Sequence, residues 1–311
     1  MQQDNIKNNI TIIKKRSTMY FFSCVLGGFT ILDKIYYLWL EILRESNAII
    51  NCEYIKENIS NSSIIALFKG ENVIDEKLNN SIVKSFLDKN IKERTIRLYN
   101  KIEENKLRII TREEKDFPKR MKNAFCIITN LNFTKNLNNK NVYIYYANYY
   151  SKVAKSITKY NYEVIKELDY NLFCEYEEIE TIKIDKLEKY LNNKNEEKYL
   201  FDLNNYIFYI AGEIDILSII DMVIIIEAQY EGNIVEKVNY FVEKSIPILV
   251  FPNSIFNKNS YFSNYLIKQG ADIALGKNDI LFALKSLSCW HFLNICYIIL
   301  IVKRGDINGG K

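Results

Sequence analysis

The residues that decide the fold are 222–253, which read MVIIIEAQYEGNIVEKVNYFVEKSIPILVFPN. Met222–Ile226 is an apolar run between two acidic residues, which is typical of a strand buried on both faces of a parallel sheet. Ile234–Lys244 has the spacing of an amphipathic helix, and Ile248–Phe251 is a second apolar run that stops at a proline. Strand, helix and strand in this order predict a βαβ unit and therefore a parallel sheet.

The same alternation continues outward on both sides of this unit. Upstream, Val142–Tyr146 is a β-rich run followed by the helical pattern of Ser151–Lys159. Downstream, Tyr261–Gln269 predicts a helix that a glycine ends, and Ile273–Leu275 predicts a last short strand. We therefore predict an α/β fold over residues 141–286: a Rossmann-like, doubly wound and mostly parallel sheet.

The rest of the chain is less regular. Residues 31–105 mix apolar and charged residues at helical spacing and predict a small helical domain before the sheet. Residues 161–200 are rich in charges and predict helices with one short strand. The other predicted regions are an N-terminal extension, 1–30, a connecting segment, 106–140, and an apolar C-terminal tail, 287–311.

The predicted sheet points to particular loops as a binding site. Ligands of doubly wound sheets bind beside the carboxyl ends of the strands. The loops at those ends are predicted to be Ala147–Ser151, Ala228–Asn233 and Pro252–Ser260. We expect the residues that bind a ligand to lie in these loops or at the start of the helices that follow.

The composition is that of a globular protein without a strong overall charge. Of the 311 residues, 48% are hydrophobic and 26% are charged, and Lys+Arg of 42 against Asp+Glu of 38 gives a net charge of +4. Binding of nucleic acid would therefore have to come from a local patch. The single histidine, His291, argues against histidine-based metal sites and catalytic triads, and we predict no metal or other cofactor.

The cysteines and the apolar segments indicate in which cellular compartment the protein is expected. The six cysteines form no C-x-x-C pair and are predicted to be buried thiols of a reducing compartment. The apolar segments Met19–Leu32 and Phe292–Val302 are shorter than the roughly 20 residues of a spanning helix. We predict a cytoplasmic protein without a membrane span.

Short motifs follow one another in a fixed order between residues 223 and 281: VIIIEA, YEGN, VEKSIPILVFPNS, FSNYLIKQGA and NDIL. This order resembles the DNA-processing protein DprA (Smf) family. In that family a strand ends in Glu-Ala, a Ser-Gly-Ser turn opens a helix, and a second strand ends in Val-Pro-Gly before Gly-Thr-Asn, Leu-Ile and Gly-Ala. The matching residues here are Glu227, Ala228, Gly232, Pro252, Asn264, Leu266, Ile267, Gly270 and Ala271.

Several motifs of that family are altered in this chain. Residues 146–148 read Tyr-Ala-Asn where the family's first strand ends in Gly-Ser/Thr-Arg. Residues 212–214 read Gly-Glu-Ile where the family has Arg-Asn-Arg, and residues 231–233 read Glu-Gly-Asn instead of Ser-Gly-Ser. These changes remove arginines that would contact phosphate, so the resemblance implies a member with degraded DNA-binding motifs.

The resemblance implies binding of single-stranded DNA in the Rossmann-like domain and loading of a RecA-type recombinase during DNA uptake and recombination. It also allows a homodimer. Phosphates are bound by cations and by N–H groups at helix starts, and bases stack on aromatic rings. The candidate DNA-binding residues are Asn148, Tyr149, Lys152, Lys155, Gly232, Asn233, Lys258, Asn264 and Lys268.

Other function classes remain open. An interaction scaffold or decaying paralogue would keep the fold without DNA binding and use the helical domain and the apolar segments as contact surfaces. A nucleotide-processing hydrolase would use Glu227 or Glu231 as general base. No glycine-rich phosphate loop accompanies these carboxylates, so we predict a binding protein without a catalytic residue.

Overall fold

The structure of the protein is a computed structural model. It describes residues 34–47, 49–50, 52–71, 80–130, 133–146, 151–174, 180–193, 205–230 and 232–287. The chain divides into two compact units, residues 1–97 and 98–311.

The described part of the first unit is helical. The helices are α1 (Lys34–Ser46), α2 (Cys52–Asn58), α3 (Asn61–Lys69), α4 (Asn80–Leu87) and the first half of α5 (Lys89–Glu104). Helix α1 is buried on most sides. Ile35, Leu38, Trp39 and Ile42 lie on one face, and residues on the other faces, such as Tyr37 and Leu40, are buried as well.

Trp39 lies at the centre of this unit. Its indole is fully buried and meets the rings of Phe68 and Phe86 edge-on, with centroid distances of 5.0 and 5.4 Å. Edge-to-face aromatic pairs stabilise a core beyond the apolar area that they bury. The contacts of Trp39 therefore join α1 to α3 and α4.

The described residues of the second unit form one mixed sheet. Its strands are β1 (Leu107–Thr111), β2 (Cys126–Asn130), β3 (Asn141–Tyr146), β4 (Asn171–Phe173), β5 (Ile182–Lys186), β6 (Asn205–Tyr209), β7 (Met222–Glu227), β8 (Ile248–Val250) and β9 (Asp272–Ile273). Their order across the sheet is β1-β2-β6-β5-β4-β3-β7-β8-β9. β2 is antiparallel to β1 and to β6, and the other neighbouring strands are parallel.

Helices cover both faces of this sheet. They are α6 (Lys152–Glu167), α7 (Leu187–Asn193), α8 (Glu213–Leu217), α9 (Gly232–Glu243), α10 (Tyr261–Lys268) and α11 (Lys277–Ser286). Val223 and Ile225 of β7 share one core with α8, α9 and α10, whereas Ile224 and Ile226 share the other with α6 and α11. The prediction of a Rossmann-like, doubly wound and mostly parallel sheet, preceded by a small helical domain, is confirmed.

Three strands were not expected at their positions: β2, β6 and one of β4 and β5. β2 lies inside the segment predicted to connect two domains, and residues 161–200 contain both β4 and β5 instead of one strand. β5 was not recognised in the sequence because three of its five residues are charged. Lys183 is nevertheless buried, with its Nζ 5.8 Å from the ring centroid of Tyr206, because an aromatic neighbour allows a lysine to bury its stem. The predicted domain borders remain predictions.

The amino ends of β3 and β7 are joined by Asp221. Its carboxylate accepts a hydrogen bond from the backbone N–H of Asn141 at 2.8 Å and forms ion pairs with Arg120 at 2.8 Å and Lys140 at 3.1 Å. The side chain of Asp221 is largely buried, whereas both cations are partly exposed. Asp221 therefore fixes the register between the two central strands of the sheet.

Several predictions cannot be compared with this structure. Met19–Leu32, Phe292–Val302 and His291 lie outside the described residues. Within the described ranges, no helix is both long and apolar enough to cross a bilayer. Cys126 and Cys174 are buried thiols, as predicted for these two cysteines.

Gly270, one of the motif residues, follows α10 with a φ of 99°. A side chain at that φ is strained, although a Cβ there would meet nothing within 4 Å. We expect Gly270→Ala to lower the free energy of unfolding by about 1 kcal/mol, measured by urea denaturation. Gly270→Asn is the matched control, because asparagine tolerates a positive φ better than alanine does. A Gly270→Asn loss as large as that of Gly270→Ala would contradict this explanation.

Candidate functional site

The order of the strands creates a crevice between β3 and β7. From β3 the parallel strands continue to β4, β5 and β6 on one side, whereas β7, β8 and β9 continue on the other. At such a switch point the connections after the two central strands leave toward opposite faces, and ligands bind there. The residues after β3, β7 and β8 are those of the predicted loops, of which 147–150 and 231 are outside the described set.

Glu227, the last residue of β7, is at the base of this crevice. It lies opposite Tyr146 because a bulge shifts the register by one residue after Tyr145. Its side chain is only 2% exposed. Oε1 accepts hydrogen bonds from Ser151 Oγ at 3.0 Å and from the side-chain amides of Asn253 and Asn257, each at 3.4 Å. Among the described residues, the buried Oε2 has no hydrogen-bond partner.

Ser151 connects Glu227 to the start of α6. It is the N-cap of that helix, and its Oγ accepts a hydrogen bond from the backbone N–H of Ala154 at 3.1 Å. A carboxylate near the N-terminus of a long helix is stabilised by the helix dipole. Glu227 therefore lies where the backbone of α6 also attracts anionic ligands.

The loops after β7 and β8 are joined by further hydrogen bonds. The backbone N–H of Ala228 donates to Ser263 Oγ at 2.7 Å, and its carbonyl accepts from the backbone N–H of Phe262 at 2.9 Å. The amide of Asn264 donates to the carbonyl of Asn253 at 3.0 Å. These contacts hold the two loops and the start of α10 in one arrangement.

Cationic side chains lie at the rim of the crevice. Lys152 is the first residue of α6 and is exposed, and Lys155 is half-buried one turn later. Lys258 is exposed in the short 3-10 turn 258–260 that precedes α10. Lys268 is the last residue of α10, about 10 Å along the helix axis from its beginning.

An ion pair joins the start of α8 to α9 on one face of the sheet. Glu213 Oε1 lies 2.6 Å from Lys237 Nζ, which is also 3.4 Å from Tyr143 Oη. Burial raises the pKa of Tyr209, and the charges of Glu213 and Asp185 raise it further. A lysine that neutralises a neighbouring carboxylate contributes less to phosphate binding, so this face is the weaker one for an anion.

Some of the predicted DNA-binding residues lie at the carboxyl ends of the strands, and others lie outside the described residues. Lys152, Lys155 and Lys258 follow the carboxyl ends of β3 and β8, and Asn264 binds the loop after β8. Gly232 and Asn233 open α9, while Asn148 and Tyr149 lie outside the described residues. The remaining motif residues differ in burial. Ala228 and Leu266 are buried, Ile267 and Ala271 are half-buried, and Pro252 is exposed.

Sequence reasoning missed three polar residues of the site, Ser151, Asn253 and Asn257. All belong to the predicted loops, and Ser followed by a helical pattern is an N-cap signal. Glu227 itself was named from the motif order, but its contacts with these three residues could not be predicted from spacing, because they join residues 26 to 76 positions apart.

The geometry of Glu227 is that of an anchor. One carboxylate oxygen has three donors and the other is buried, so the group is poorly placed to take a proton from a bound substrate. Glu231 lies outside the described residues. Across the described ranges, no group of three or more His, Cys, Asp or Glu residues could hold a metal ion.

No model of a protein family matches the sequence, and no curated protein matches it. The chain is similar to the solved structure of DNA processing protein A (DprA) from Streptococcus pneumoniae, at 13% identity over 81% of this chain and 98% of that chain, with a TM-score of 0.49. It is also similar to DNA processing protein A from Helicobacter pylori, whose structure concerns its binding mode for single-stranded DNA. That similarity has 12% identity over 58% of this chain and 96% of that chain, with a TM-score of 0.43.

Proposed function

We propose that this chain binds single-stranded DNA at the crevice between β3 and β7, as a cytoplasmic accessory of DNA uptake and recombination. In this proposal it is not an enzyme, and it delivers the strand to a RecA-type recombinase, alone or as a homodimer. The observation that carries the proposal is the convergence of lysines, amides and a helix start on the carboxyl ends of β3, β7 and β8.

The chemistry of this edge suits a phosphate backbone. Lys152 is beside the N-terminus of the 16-residue helix α6, and both the cation and the helix dipole attract phosphate. Lys258 adds a second exposed cation on the loop after β8. A single strand can follow such a groove by its charge, without a requirement for one sequence.

The changes in the family motifs support weak binding. An Asn occupies position 148, where the family has an arginine, and Glu213 pairs with Lys237 at the family's second arginine motif. The motif order of residues 223–281 and the buried anchor Glu227 support retention of the site itself. We therefore expect lower affinity and a smaller salt dependence than the family's two arginine-containing motifs would give.

The direct test is the fluorescence anisotropy of labelled oligo-dT at several salt concentrations. Neutralising about three phosphates on a single strand gives a slope of about −2 in a plot of log K against log salt. We expect the affinity to fall roughly 20-fold between about 50 and 200 mM salt. Lys152→Ala and Lys258→Ala are each expected to reduce the slope by about 0.7.

Lys285→Ala is the matched control, because Lys285 is exposed in the last turn of α11. It should leave the slope unchanged, and Lys268→Ala should have a smaller effect than Lys152→Ala. If wild type does not bind at tens of micromolar protein in low salt, DNA binding is excluded and the scaffold alternative is favoured. Turnover of a nucleotide by the purified protein would favour the hydrolase alternative.

A further inference from the structure

The loop between β8 and α10 and the first residue of that helix expose apolar side chains beside the site. Phe256 is 90% exposed, Ile255 82% and Tyr261 69%. Tyr230, in the loop after the neighbouring strand β7, is 53% exposed. Aromatic side chains that are exposed together commonly mark a binding surface. We call Tyr230, Phe256 and Tyr261 the aromatic rim.

Phe256 is exposed on a loop that hydrogen bonds hold in place. Its backbone N–H donates to Ser254 Oγ at 3.2 Å, and the backbone N–H of Asn257 donates to the carbonyl of Ser254 at 3.0 Å. The next side chain, Asn257, points inward, where its amide donates to Glu227 and its Oδ1 accepts from the N–H of Asn259. These hydrogen bonds hold the loop in one conformation while the ring of Phe256 points outward. A loop that is already ordered loses less conformational entropy when a ligand binds.

Tyr230 is also held by its neighbours. Its ring meets Phe262 edge-on at a centroid distance of 5.2 Å and Tyr265 at 6.3 Å. The amide of Gln229 donates to Asn259, which ties the loop of Tyr230 to the loop of Phe256. The aromatic rim thus lies on two connected loops and the first residue of α10.

The residues around the rim favour nucleobases as its occupant. Residues 253–261 contain a cation, Lys258, and no carboxylate, and they are otherwise amides, hydroxyls and apolar groups. The rim follows β7 and β8, the strands beside the crevice at which Lys152 is placed to bind phosphate. Aromatic rings beside a cationic groove are the combination that binds single strands, because each base has a face that stacks.

We propose that Phe256 and Tyr261, assisted by Tyr230, stack on the bases of the strand whose phosphates the lysines bind. The inference rests on the proposed function and adds the part of the ligand that these side chains contact. The chain would then distinguish DNA with bases from the bare sugar–phosphate backbone.

The test compares oligo-dT with an abasic oligodeoxynucleotide of the same length and charge. We expect wild type to bind oligo-dT at least tenfold more tightly, since each stacked base contributes about 1–3 kcal/mol. Phe256→Ala should weaken oligo-dT binding about tenfold and leave abasic binding unchanged, with a similar pattern for Tyr261→Ala. Phe282→Ala is the matched control, because Phe282 is 73% exposed on α11, and it should change neither affinity. In Phe256→Trp, oligo-dT but not the abasic strand should quench the added tryptophan fluorescence.

The outcomes separate the two proposals. If wild type binds both strands equally, or if Phe256→Ala and Tyr261→Ala bind oligo-dT like wild type, base stacking is wrong while DNA binding stands. The rim would then be assigned to a protein partner. If wild type binds neither strand, both proposals are wrong.

Discussion

Replacing Asp221 with alanine is expected to lower the free energy of unfolding of the second unit by about 2–4 kcal/mol. The reason is a buried donor that loses its acceptor. Asn141 is fully buried, and its backbone N–H donates to the Asp221 carboxylate at 2.8 Å. Leaving that N–H without a partner costs about 1–3 kcal/mol, and the ion pairs with Arg120 and Lys140 add a smaller amount because both cations are partly exposed.

Hydrogen exchange of peptides from β3 and β7 measures this effect in the unit concerned. Asp221→Asn is the informative control, because its amide oxygen can still accept from the Asn141 N–H while the charge is lost. We expect it to cost about 1 kcal/mol, well below the alanine variant. Equal exchange in wild type and both variants would show that Asp221 does not join the strands.

Trp39→Ala is expected to cost the first unit about 3–5 kcal/mol, the usual loss for removing a large buried aromatic side chain. The indole is completely buried, and its removal takes one edge-on contact from Phe68 and one from Phe86. A small helical unit has little stability in reserve, so the variant is expected to be largely unfolded in that unit.

Far-UV circular dichroism and hydrogen exchange of peptides from α1, α3 and α4 report this loss. Trp39→Phe keeps one ring and should cost less than half as much. Ile49→Ala is the surface control, since Ile49 is 60% exposed, and its effect should stay within about 0.5 kcal/mol. A Trp39→Ala variant as stable as the Ile49→Ala variant would contradict the central role of the indole.

The sequence predicted the central βαβ unit well because its signals are local. Met222–Ile226 is uninterrupted because alternate residues enter different cores, and the observed strand, Met222–Glu227, differs by one residue. Helix α6 runs to Glu167 instead of Lys159, since Val164 and Ile165 continue its buried face. β9 is Asp272–Ile273 instead of 273–275, and its pairing with β8 fixes this register.

The candidate site was predictable only in part. The loops follow from the parallel sheet; Lys152 comes directly after the first of them, and Lys258 lies in the third. The hydrogen bonds from Asn253 and Asn257 to Glu227 do not, because they depend on how distant loops fold over β7. Nor could the sequence distinguish exposed Phe256 from buried Phe262, since both occur in similar polar surroundings.

A carboxylate holds each end of β7 to its neighbours: Asp221 at the amino end and Glu227 at the carboxyl end. Both groups face inward and neither needs a ligand in order to be held. The residues that maintain the crevice are thus distinct from the lysines and aromatic rings available to touch a strand. Substitutions of these lysines and aromatic residues can accumulate at little cost to folding. A protein built in this way can exchange or abandon its ligand in evolution while the architecture persists.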